Sequence, residues 1–114
     1  MLLHAPTDVY FNEESAFQAD ILFVSGEKLK IVKEDGIYGA PDLIVEILSP
    51  STGYYDLKKK FQVYEKYGVR EYFIIDPDDN EAVGYRNHNG KYHEFTRHTA
   101  RFWSELLNGE IVFA

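Results

Sequence analysis

Glu46 stands in the middle of LIVEIL, residues 43–48, an aliphatic run of the kind that a packed sheet keeps free of charge. A carboxylate in such a place needs a cationic partner, a metal ion or water. The plain alternatives are a strand edge open to solvent or a pair with Lys or Arg. Alternate residues of a strand share a face, so Asp42, Ile44, Glu46 and Leu48 point one way and Leu43, Val45 and Ile47 the other. Asp42 lies about 13 Å from Glu46 at ~3.3 Å per residue, too far to share one ion, and ranks as a secondary candidate. Asp20, in QADILFV (18–24), belongs to a different predicted strand. If the two strands pair in register, its Cβ comes within about 5 Å of that of Glu46. Two carboxylates so placed suit a hard divalent cation, Mg²⁺ or Mn²⁺, which takes oxygen ligands and keeps part of its water.

A third group comes from the segment after Pro50. Asp56, Lys60 and Tyr64 form an i, i+4, i+8 ladder beside an apolar stripe of Leu57, Phe61, Tyr64 and Gly68, so Lys60 can lean toward the sheet. The plain reading is an exposed Asp56–Lys60 ion pair worth a few tenths of a kcal/mol. Asp56 and Tyr64 are secondary candidates. Lys58, Lys59, Lys66 and Arg70 can make a local phosphate-contacting patch, although a solvated helix face is the default for such charges. Ser49 and Ser51 lack an apparent His and acid arrangement and read as turn or cap residues. His88, His93 and His98 recur every five residues, which suits neither a helix face nor a strand face, so zinc is not expected. Asp76, before Pro77, reads as the start of a turn or as a support to the site.

The elements that must position these groups are legible in outline. Residues 7–13 and 17–24 read as a hairpin, 26–40 as a short helical turn and loop, 43–48 as a central strand closed by Pro50, and 71–76 as a second buried strand. The helix runs from about 54 to 67, capped by Ser51 or Thr52. Asn89-Gly90 predicts a tight hairpin, and the tail carries a second turn at Asn108-Gly109 before a last strand. The expectation is an α+β domain, a mixed central sheet with one main helix packed on it and a C-terminal β-hairpin. Its 114 residues suffice for one domain, and 45% hydrophobic residues with nine Tyr and eight Phe argue against disorder. The chain has no cysteine, hence no disulfide or thiolate site, and no apolar run long enough to span a bilayer; a soluble, cytoplasmic protein is expected. A net charge of −7 disfavours binding polyanions over the whole surface, so a nucleic acid would have to meet a local basic patch.

GAPDLIVEILSPST (39–52), Asp56 with Lys60, GVREYFIIDP (68–77) and QADILFV (18–24) together resemble the PD-(D/E)xK nuclease superfamily. They resemble more closely its bacterial restriction-endonuclease-like family with a PDLVVEVLSPST-type segment, and the likeness covers most of the chain. The resemblance implies a single restriction-endonuclease-like domain over 1–114 and a Mg²⁺- or Mn²⁺-dependent phosphodiesterase acting on nucleic acid, DNA in the first place. It carries the aspartate onto Asp20, the acidic member of (D/E)xK onto Glu46, and the catalytic base or electrostatic helper onto Lys60. The lysine of (D/E)xK would fall on Leu48, and Lys60 is its replacement from the helix. Alanine precedes Asp20 where the family has proline. Typical members begin with a further helix and strand; lacking these, the chain either has its sheet covered by a partner chain, which makes a homodimer the expectation, or leaves a normally buried face open. The alternatives are a catalytically degenerate nuclease fold that binds nucleic acid or protein, or a truncated inactive fragment.

Overall fold

Aliphatic and aromatic side chains crowd residues 43–47 and 71–76, and these become the two central strands of the larger sheet. The structure, a computed structural model, describes residues 1–3, 7–12, 16–49 and 54–113, with their side chains except those of 54–56. In chain order the elements are β1 (Leu2–Leu3), β2 (Thr7–Tyr10), β3 (Ala16–Ala19), β4 (Ile21–Phe23), a 3₁₀ helix (Gly26–Ile31), β5 (Val32–Lys33), β6 (Gly36–Tyr38), β7 (Leu43–Ile47), α1 (Tyr54–Lys66), β8 (Glu71–Asp76), β9 (Glu81–His88), β10 (Lys91–Thr99), β11 (Arg101–Ser104) and β12 (Gly109–Val112). Among the described residues they form a six-stranded sheet, β1-β4-β7-β8-β9-β10, a four-stranded sheet, β3-β2-β6-β5, and the β11–β12 hairpin. Only β7 and β8 run parallel within the six-stranded sheet, and α1 is the crossover that a parallel pair requires. The fold is thus the expected α+β arrangement, a mixed sheet with one main helix and a C-terminal hairpin.

The two faces of the large sheet separate as the alternation requires. Ile44, Tyr72 and Leu22 pack with Tyr64 of α1 and with Val9 and Ile37 of the smaller sheet. Leu43, Val45, Phe73 and Ile75 point the other way and meet Phe102 of the hairpin. Between that second face and the hairpin lies an apolar cavity of about 360 Å³, lined by Val45, Ile47, Ile75, Phe102 and Ile111 among others. No helix among the described residues is long and apolar enough to cross a membrane.

Three local features differ from expectation or sharpen it. The strand expected over 17–24 is broken at Asp20: β3 pairs with β2 in the small sheet, whereas β4 pairs with β7 in the large one. Segment 26–40 is a 3₁₀ turn followed by β5 and β6, and β6 runs parallel to β2. Gly36 permits that approach, because a Cβ there would lie 2.6 Å from the Asp8 carbonyl oxygen. Gly68 does not continue the apolar stripe of the helix; it ends it. Its φ is +82°, its amide donates to Glu65 O at 3.3 Å and Val69 N donates to Tyr64 O at 3.0 Å, a Schellman closure. The Asn89-Gly90 turn has φ values of 53° and 85°, the doubly positive geometry of a tight hairpin. The expected caps Ser51 and Thr52 lie outside the described residues.

Candidate active site

Register is what brings the acids together. β4 and β7 are antiparallel with Ile21 opposite Val45 and Leu22 opposite Ile44, so the next position outward sets Asp20 against Glu46. At that point the chain bends between β3 and β4, and the Ile47 amide donates to Asp20 Oδ2 at 2.7 Å, fixing the carboxylate against the end of β7.

Glu46 is 5% exposed and faces the helix side of the sheet. Two side chains of α1 reach down to it one turn apart, as the i, i+4 spacing allows. Tyr64 OH donates to Oε1 at 2.7 Å, and Lys60 Nζ donates to Oε2 at 3.2 Å. Lys60 also donates to the backbone carbonyl of Gln18 on β3 at 3.1 Å, so one ammonium links helix, β3 and β7. A charge-assisted hydrogen bond in such a setting contributes about 1.5–3 kcal/mol. Burial pushes the Glu46 carboxyl above its ordinary range; Lys60 and Tyr64 pull it back down, and the nearby Asp20 charge raises it again.

These groups border a largely polar cavity of about 350 Å³ lined by Gln18, Asp20, Glu46, Ser49, Leu57 and Lys60, together with Ile47 and Leu48. Asp20, Glu46 and Lys60 therefore meet at one opening. Tyr64 touches Glu46 from the buried side and is itself wholly buried. Asp42, Lys58 and Lys59 lie elsewhere. Asp42 accepts from the Ser25 amide at 2.7 Å and faces Lys28 Nζ at 3.8 Å, so it closes the loop before the 3₁₀ helix and does not line the cavity. Lys58 and Lys59 are exposed on α1 and are not among the cavity's walls. The side chain of Asp56 lies outside the described residues.

Among the described residues no cluster of three or more His, Cys, Asp or Glu could hold a metal ion. Asp20 and Glu46 form a pair, and a pair is what Mg²⁺ ordinarily needs, since it takes one or two carboxylates and completes its shell with water and substrate phosphate. Hard oxygen donors, one at the bend before β4 and one on the neighbouring β7, beside a polar opening fit such an ion. Two contributions were not read from the sequence: the Gln18 carbonyl that holds Lys60 and the Ile47 amide that holds Asp20. Both are backbone groups, about which residue type says nothing. A buried acid also went unread. Glu71, 1% exposed, accepts from Ser104 Oγ at 2.6 Å and from the Glu105 amide at 3.0 Å, tying β8 to the C-terminal hairpin. Its signal was a charge leading an apolar strand.

Residues 2–112 match the family model described as "Uma2: Putative restriction endonuclease". The fold is similar to the crystal structure of a "putative nuclease belonging to DUF820" from Anabaena variabilis ATCC 29413, with a TM-score of 0.64 and 22% identity over 82% of this chain. The match covers 53% of that protein, so the chain spans about half its length. At this identity the likeness speaks to fold alone. No curated protein matches the chain.

Proposed function

The chain belongs to the Uma2 family, described as putative restriction endonucleases, and from that premise we propose that it is a divalent-metal-dependent endonuclease hydrolysing phosphodiester bonds of DNA. The observation that carries the reading is the meeting of Asp20, Glu46 and Lys60 at one polar cavity from a bend and two separate elements. In this reading Asp20 and Glu46 would hold the cation. When bound, a hard divalent ion polarises the phosphate and lowers the pKa of its water. Lys60 orients the attacking water or, as a mobile point charge, neutralises negative charge that develops on the phosphoryl oxygens. Tyr64 holds one Glu46 oxygen from behind and so fixes the carboxylate's direction. Ile47 N does the same for Asp20. Lys58 and Lys59, exposed on the same helix, would contact the nucleic-acid backbone.

Supercoiled plasmid incubated with Mn²⁺ or Mg²⁺ tests it. Wild-type protein is expected to nick the DNA, and Glu46→Gln, with an unchanged circular dichroism spectrum, is expected to leave it whole. Intact plasmid after long incubation with folded wild-type protein would overturn the endonuclease reading in favour of a degenerate fold that binds without cutting.

A further inference from the structure

Both oxygens of Glu46 are engaged by groups of the chain itself. Oε1 belongs to Tyr64, a phenol with no exposed surface. Oε2 faces Lys60, which lines the cavity, and the pair is well shielded, with side-chain exposures of 14% for Lys60 and 7% for Glu46. An acid so buried costs several kcal/mol unless compensated, and the Lys60 ammonium supplies the compensating charge. The same ammonium then opposes any second cation drawn to that oxygen. It also has a second acceptor, the Gln18 carbonyl at 3.1 Å, which can keep hold of it if the carboxylate is given up.

We propose that Lys60 is a resident competitor for the divalent ion: it holds the Glu46 oxygen that the ion must take, and it yields that oxygen while keeping its place on Gln18. The inference rests on the cation reading above and adds to it a sign opposite to that of a supporting residue. A lysine that merely built the site would weaken cation binding when removed. A competitor strengthens it.

Mn²⁺ titration by calorimetry at pH 8, where a proton competes least with the ion, distinguishes the two. Lys60→Met is expected to bind Mn²⁺ about tenfold more tightly than wild type, the scale of removing one shielded like charge. Lys60→Arg, which keeps the charge, is expected to stay close to wild type, and Glu46→Gln to lose binding. Wild-type binding with equal or weaker binding by Lys60→Met overturns the competition and leaves the cation site standing. Absence of binding by wild type and Lys60→Met alike overturns both. Because Lys60→Met leaves a buried carboxylate without its partner, a second measurement uses the wild-type chain. The Lys60 side-chain ammonium resonance is expected to shift as Mg²⁺ saturates, and an unchanged resonance at saturation overturns the proposal.

Discussion

Glu46 illustrates how a single side chain can be costly to the fold and useful to the site. Its carboxyl is raised from an ordinary value of 4.5 chiefly by burial. The folded chain therefore holds that proton more tightly than the unfolded one does. For the metal-free protein the sign follows: the stability linked to Glu46 is fully present below 4.5 and is lost as pH rises through the raised folded value. Relative to Glu46→Gln, wild type should accordingly be more stable near pH 4 than near pH 7. Urea denaturation of both proteins in EDTA checks this, and a difference that is flat or grows with pH contradicts it. The acid itself was legible, since a charge inside LIVEIL has few explanations. The identity of its partners was half legible: the helical ladder named Lys60 and Tyr64, but no residue pattern names a backbone carbonyl.

At the scale of elements, local patterning located β7, α1, β8 and the β9–β10 hairpin, because each is specified by its own apolar period or turn residues. It missed what depends on distant chain. Residues 17–24 look like one strand, yet the bend at Asp20 hands the chain from one sheet to the other, and that transfer is what presents Asp20 to Glu46. β5 and β6 escaped notice because β6 finds a partner in β2, far back in the sequence. Glu71 is similar: its partner Ser104 is 33 positions away. Replacing Glu71 by Ala removes the acceptor of Ser104 and of the Glu105 amide, and leaves Arg86 Nη2, 3.9 Å away, without that charge. A loss of about 2–4 kcal/mol is expected. Hydrogen exchange localises it: the amides of Glu105 and Leu106 should lose protection first, while those of β7 keep theirs. Undiminished protection at Glu105 would show that the hairpin does not depend on this anchor.

For the whole molecule the net charge of −7 sets a constraint on any nucleic-acid partner. Attraction must be local, and the exposed lysines of α1, beside the helix turn that carries Lys60, are where the proposal puts it. If Lys58 and Lys59 each neutralise one phosphate, the double substitution Lys58→Gln with Lys59→Gln lowers the slope of log affinity against log salt by about 2. Mn²⁺ affinity should be unaffected, because neither side chain borders the cavity. Fluorescence anisotropy with labelled duplex across a salt series gives the slope. An unchanged slope would move the DNA path to another face.

The convergence of Asp20 and Glu46 on one cation is tested most directly by a crystal of the protein soaked in Mn²⁺ and measured at a wavelength where manganese scatters anomalously. The account predicts an anomalous difference peak bonded to both carboxylates, with Lys60 Nζ no longer on Glu46 Oε2. A peak elsewhere in the molecule, or density at Asp20 and Glu46 that remains that of the Lys60 ion pair at saturating Mn²⁺, would contradict it.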